Sequence, residues 1–347
     1  MNEIDNKWIG KNTIRPDGAD KVTGRAEYGA DTIMPGMIWG KVLRSPYPHA
    51  TIKSINTKKA EELDGVFSVA TSADCVDFPV DTPVILGIQD IRWMARNVLA
   101  KEKVLFHGHP IAAVAARTEE IAEKACELIE VDYDVHPWAI EIDDAIRPDA
   151  PILHDFIKFD GKPSNIAGTL EHKKGNIEEG FKDADIIIEK EFETAAVHQG
   201  YLETHACLVS VSPDERTTIW SSSQGQFMVR AMTSFITGIP QSSIRAIPAE
   251  IGGGFGGKTI VYLEPVATIL SKKSGRPVKM VMTREEVMRA SGPTSGSKSK
   301  VKIGAKNNGK ITAAQGTFYL QAGAFPGAPI RGAAGCCLAP YDIPNAH

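Results

Sequence analysis

The sequence predicts a mixed α+β protein of two domains. Three observations lead there. The chain has 347 residues, of which 42% are hydrophobic and 24% charged, a globular composition with material for two cores. Apolar residues alternate in some stretches and recur at helical spacing in others, in β-α-β order. A glycine-rich segment, Ile251 to Thr259, stands between a strand pattern and a helix pattern.

The elements follow in order. Asp20 to Asp31 reads as short extended pieces broken by glycine, and Met37 to Leu43 as a strand that Arg44-Ser-Pro-Tyr-Pro-His49 stops, because two prolines remove donors. Thr51 to Asn56 and Val66 to Thr71 alternate as strands around a short helix, Thr57 to Leu63. The apolar run Ile111 to Ala116 reads as a buried strand. Thr118 to Glu130 carries the clearest helical spacing, with acidic residues in its first turn. The acidic, proline-bearing and polar stretch 141–165 reads as a linker. Beyond it come a short helix from Gly175 to Ala184, a strand from Ile186 to Phe192, and a strand-bearing segment, Val197 to Val211, that contains Glu203. Further on are a strand ending at Ser223-Gln224-Gly225, a helix from Phe227 to Thr237, and the strand Ser243 to Ile247. A helix from Ile260 to Ser274, the strand Val278 to Met282 and a capping box at Thr283-Arg-Glu-Glu286 precede a hairpin around Asn307-Asn-Gly309.

Several function classes are disfavoured. The formal net charge is -4 with no basic run, so nothing favours nucleic acid as partner. No apolar stretch approaches the ~20 residues of a membrane span, and Met1 to Gly10 is polar, so a cytoplasmic location is expected. Cys75, Cys126, Cys207, Cys336 and Cys337 show neither C-x-x-C nor ferredoxin spacing, and the adjacent pair Cys336-Cys337 is expected to be buried packing. His49, His107 and His109 lack further ligands at metal spacing, so they read as polar loop residues.

The glycine segment carries the chemistry. Gly252 to Thr259 satisfies G-x-x-x-x-G-K-[ST], the phosphate-binding P-loop, and Gly252, Gly254 and Gly257 satisfy G-x-G-x-x-G. Such a backbone can bring N–H groups close to a phosphate, an oxyanion or a metal-bound oxygen, or can serve only as a tight turn. Pro248 sits in the preceding strand, and Thr283-Arg284-Glu285 stands where a magnesium-binding aspartate would follow the next one. Both count against a nucleotide P-loop, which stays the alternative.

Four ordered stretches resemble the large subunit of the molybdenum hydroxylases, the family of xanthine dehydrogenase and aldehyde oxidase. They are Asp20 to Asp31 with Leu43-Arg-Ser-Pro46 and His49-Ala50, then Gly108-His-Pro-Ile-Ala-Ala-Val-Ala115. Tyr201-Leu-Glu-Thr-His205 with Ser223-Gln224 is the third, and Gly252 to Lys258 with Gly275-Arg-Pro-Val278 and Thr283 to Glu286 the fourth. The resemblance implies an α/β hammerhead domain over 15–140 and the first part of a mixed α/β molybdopterin-binding domain over 166–347. It implies a molybdenum–molybdopterin cofactor, plain or as a cytosine dinucleotide, held through its own dithiolene sulfurs rather than by protein ligands. Gln224 matches the family glutamine whose amide approaches an oxygen on molybdenum. Phe255 matches the phenylalanine of the loop at the metal, with Gly253, Gly254 and Gly256 offering backbone N–H groups around the cofactor. An iron–sulfur subunit with [2Fe-2S], an FAD subunit and a C-terminal half of the molybdopterin domain are the implied partners. Oxidation of an aldehyde or a purine-like N-heteroaromatic with water-derived oxygen is the implied activity.

Thr259 stands where the purine enzymes carry glutamate, which argues against xanthine itself as substrate. The family's active-site arginine loop and glutamate base are expected beyond His347, so the chain alone is expected to be inactive. Glu203 is expected to be a paired structural carboxylate on a strand, and Glu264 lies in the helix after the loop. Neither is assigned as base.

Overall fold

The computed structural model describes residues 7–78, 85–86, 89–90, 92–325 and 329–347. Its centre is a seven-stranded sheet drawn from both halves of the sequence. From the first half come β1 (Ile38–Arg44), β3 (Val66–Thr71) and β5 (Pro110–Ala116). From the second come β8 (Ala206–Val211), β9 (Thr217–Ser221), β10 (Ile244–Pro248) and β11 (Val278–Val281). The spatial order is β10-β9-β8-β11-β1-β5-β3, with β1/β11 and β9/β10 parallel and the remaining pairs antiparallel. Ile38 opposite Val278 is thus the seam between chain segments that 141–165 separates in sequence.

Two smaller sheets flank it. β2 (Ala50–Asn56) lies between β4 (Lys103–Val104) and β6 (Glu130–Val135), and β12 (Ser297–Ala305) lies between β7 (Ile186–Thr194) and β13 (Ile311–Leu320). All nine residues of β7 are exposed, and it forms one edge of its sheet.

The apolar run of β5 is buried at every position, as a strand covered on both faces must be. Its side chains alternate between two cores. Ala113 and Ala115 join the core under helices α7 (Gln226–Thr237) and α8 (Glu264–Ser274), while Ala112 and Val114 face α4 (Glu119–Glu127) and α2 (Lys58–Glu61). Thr118 caps α4 by accepting from the Ile121 N–H, and Thr283 with Glu286 forms the expected capping box of α9 (Arg284–Ala290). The short helices α3 (Arg92–Val98), α5 (Ile142–Ala145) and α6 (Ile177–Lys182) lie in connections.

Four sequence expectations differ from the structure. Residues expected to be extended at Asp20 instead belong to helix α1 (Gly18–Thr23), which Gly24 closes in a left-handed conformation by donating to the Asp20 carbonyl. The helix expected from Ile260 begins at Glu264, because Pro265 fits only in a first turn and would break a helix already under way. Glu203 lies in a loop before β8 rather than on a strand. Cys336 is exposed at the end of α10 (Ile330–Cys336) rather than packed away, and Cys337 is half-buried.

The candidate glycine-loop site

Two parallel neighbours build the site. β9 and β10 run side by side with Ser221 opposite Pro248, so their C-terminal ends deliver the Gln224 turn and the glycine loop to one place. β10 is an edge strand, where the missing N–H of Pro248 can face outward. A nucleotide P-loop follows a central strand and opens a helix directly. Here four residues separate Thr259 from Glu264.

Lys258 settles its own role by direction. Its side chain points inward with 0% exposure, and Nζ bonds Glu203 Oε2 at 2.7 Å, 5.0 Å from the Tyr201 ring centroid. Burial pulls its ammonium below the usual lysine range, against the opposing pull of Glu203. A lysine so engaged cannot reach a phosphate outside the loop. The expected structural pairing of Glu203 is present, though with a partner that sequence reading did not name. Glu264 is buried, accepts the Tyr262 N–H at 3.2 Å, and has its carboxyl raised mainly by burial.

Gln224 lies against the glycine loop. Gln224 Oε1 accepts from the Gly256 N–H at 3.0 Å and the Lys258 N–H at 3.1 Å. These two donors identify the oxygen of the amide, so the outward end is the NH2 group, a donor. Gly254 sits against this amide so tightly that a Cβ would stand 2.5 Å from Oε1. Gln224 itself is exposed.

The loop N–H groups divide into two sets. Gly252 donates to Glu203 Oε2 at 2.7 Å, Gly257 donates to the Gly254 carbonyl at 2.7 Å, and Gly256 and Lys258 serve Gln224. Among the described residues the N–H groups of Gly253, Gly254 and Phe255 have no protein partner, so Gly256 drops out of the set that can face a ligand. Phe255 takes φ +48°, a left-handed conformation that costs a non-glycine residue about 1–2 kcal/mol, and its ring is 73% exposed. Leu202 and Phe227 are also exposed, at 89% and 83%. A strained backbone and an exposed ring set Phe255 apart from a residue of a packed turn.

The histidines considered from sequence do not join this site. His109 is buried, with Nδ1 accepting from the Leu105 N–H and Nε2 bonded to the Arg96 carbonyl, and His49 Nδ1 bonds the Pro137 carbonyl. Among the described residues no three His, Cys, Asp or Glu side chains are grouped as a metal site, and no helix is long and apolar enough to cross a membrane. What the loop offers is neutral: an amide NH2 and backbone donors, suited to hydrogen-bond an oxygen-rich, electron-accepting group without ligating or reducing it.

The chain is similar to known proteins over nearly its whole length. The molybdopterin cofactor-binding domain model matches residues 158–347. The a/b hammerhead domain model of aldehyde oxidase and xanthine dehydrogenase matches residues 23–137. A probable xanthine dehydrogenase subunit of Bacillus subtilis is 38% identical over 339 residues, covering 96% of this chain and 43% of its own. The nicotinate dehydrogenase large molybdopterin subunit of Eubacterium barkeri is 29% identical, covering 98% of this chain and 77% of its own. The structure of reconstituted CO dehydrogenase from Oligotropha carboxidovorans aligns with a TM-score of 0.78 at 30% identity, over 97% of this chain and 43% of that one. The chain therefore spans less than half the length of the Bacillus subtilis relative.

Proposed function

Because the chain belongs to the molybdopterin-binding family of xanthine, aldehyde and carbon monoxide dehydrogenases, we propose that its glycine loop and Gln224 form one wall of a molybdenum-cofactor site. The observation that carries this reading is the oriented amide: two backbone donors hold Oε1, which leaves Nε2 to donate outward beside the N–H groups of Gly253, Gly254 and Phe255. These groups would hold the cofactor's polar atoms in place, and the exposed Phe255 ring would exclude water beside them. When bound, the cofactor supplies the two-electron oxidising power for hydroxylating a substrate C–H with oxygen from water.

In this reading 15–140 is the hammerhead domain, 141–165 the linker and 166–347 the first part of the molybdopterin-binding domain. The substrate is an aldehyde or an N-heteroaromatic, with Thr259 disfavouring xanthine. The carbon gains one oxygen from water, and two protons and two electrons are released. The electrons leave through [2Fe-2S] and FAD partners in the cytoplasm, and the pterin is plain or a cytosine dinucleotide. Gln224 positions and polarises but takes no proton at neutral pH, and Glu203 and Glu264 are both committed within the protein. The family resemblance places the general base in a C-terminal half of the molybdopterin-binding domain, and that half is taken as a partner of this chain.

The test is to load purified residues 1–347 with molybdenum cofactor and assay them against aldehydes and N-heteroaromatics with an artificial electron acceptor. Cofactor retention without multiple turnover is expected, since losing a general base typically costs ~10²–10⁴-fold in rate. Failure to retain the cofactor, or sustained turnover at the rate of a complete complex, refutes the reading.

A further inference from the structure

The ion pair under the glycine loop has no part in the function proposed above, yet burying two charges is costly unless their geometry is used fully. Glu203 uses it fully. Its Oε2 accepts from Lys258 Nζ at 2.7 Å and from the Gly252 N–H at 2.7 Å, while Oε1 accepts from the Gly29 N–H at 3.3 Å. One carboxylate therefore ties the start of the loop, its far end and the N-terminal segment together.

Lys258 extends the tie to Gln224. Its carbonyl accepts the Gln224 N–H at 2.9 Å and the Ser223 hydroxyl at 3.2 Å, and its N–H donates to Gln224 Oε1 at 3.1 Å. A shift of Lys258 therefore moves both the backbone and the amide of Gln224. The ground beneath is rigid: the Tyr201 hydroxyl bonds His205 Nε2 at 2.6 Å and Ser291 Oγ at 3.0 Å, and Arg284 donates to the Tyr201 carbonyl at 2.9 Å.

We propose that Glu203 and Lys258 are positioning residues whose buried ion pair latches the glycine loop and orients the Gln224 amide, so that its NH2 group faces outward before any cofactor binds. That this NH2 group meets the molybdenum cofactor rests on the function proposed above. The order of the loop does not.

The latch is separable from general stability, because a buried ion pair can often be exchanged for apolar residues without loss of stability. The full chain, free of cofactor, is compared by hydrogen exchange with Lys258→Met, Glu203→Leu and the double variant. In all three, the hydrogen-bonded loop amides of Gly252, Gly256, Gly257 and Lys258 are expected to exchange at least about tenfold faster, the response to losing a charge-assisted hydrogen bond, while β8 and β11 exchange as before. The double variant regains the wild-type melting temperature but not loop protection. In spectra of ¹⁵N-glutamine-labelled protein, the Gln224 NH2 signal, identified by its loss in Gln224→Asn, moves to the position of a solvated amide. Glu203→Gln keeps a neutral acceptor, bonding about half as strongly, and should raise loop exchange about threefold. No increase in Glu203→Gln overturns the proposal even where the apolar variants do not fold. Wild-type loop exchange in the single apolar variants overturns it, as does loop protection that returns with the melting temperature in the double. Molybdopterin content of the same variants is a separate reading. A loosened loop with normal content sustains the latch and refutes the cofactor role of the loop.

Discussion

A single methyl group on Gly254 is the sharpest probe of the site. In Gly254→Ala the new Cβ would lie 2.5 Å from Gln224 Oε1, 2.8 Å from Cδ and 3.0 Å from Cγ, where contacts between heavy atoms normally stand about 3.5–4.0 Å apart. Gly254 is absent from the positive-φ positions, so alanine meets no backbone penalty there and the cost is steric. The amide must move by about 1 Å. Doing so releases the N–H groups of Gly256 and Lys258, at about 1 kcal/mol for each bond, and overpacking adds about 1–3 kcal/mol. The measurements are thermal unfolding and the molybdenum and pterin content of protein expressed in a host that makes the cofactor. Gly254→Ala should be destabilised by about 3–5 kcal/mol and lose most of its cofactor. Adding Gln224→Ala removes the obstacle, so the double variant should recover the steric part of the stability while cofactor retention stays low. Wild-type stability and content in Gly254→Ala, or a double variant no more stable than the single, would refute the reasoning.

Two further outcomes follow from buried groups. Magnesium-dependent ATP binding should be undetectable by calorimetry at millimolar nucleotide, since Lys258 is held inward by Glu203. Heat that disappears in Lys258→Ala would restore the P-loop reading. Burial, with Lys258 nearby as a smaller cause, pulls the His205 imidazole down from 6.5 to about 3, and burial pulls that of His109 to about 4. Between these values and 6.5 the unfolded chain binds protons that the folded protein does not, so stability falls as pH drops. The fall begins near pH 6.5, with a limiting slope of about 1.4 kcal/mol per pH unit for each histidine. Melting temperatures from pH 7 to pH 5 should show this decline, and His205→Gln should remove its share. An unchanged slope in a folded His205→Gln protein would exclude His205 as a cause.

The legible parts of this protein were those that depend on near neighbours. The run Ile111 to Ala116 is apolar at consecutive positions, and a strand buried on both faces requires just that. Thr283 and Glu286 stand at capping-box spacing, and the box forms. The glycines of 252–257 could be read as a loop that leaves room where side chains would stand, and at Gly254 the Gln224 amide occupies that room. Even the corrected helix start was written locally, in Pro265.

Period, capping and glycine content act over a few residues, so most strands and helices, the Thr283 capping box and the glycine-rich loop itself could be read along the chain. Which way Lys258 and the Gln224 amide face was fixed by contacts made in space. A G-x-x-x-x-G-K-T string does not say whether its lysine faces a ligand or the core. That direction depends on Glu203, 55 residues earlier, arriving beneath the loop on the segment that leads into β8. The orientation of the Gln224 amide likewise depends on two N–H groups more than thirty residues away, 32 and 34 along the chain. The direction of a buried charge and the face of an amide are chosen by partners brought together in space, and folding alone supplies those partners.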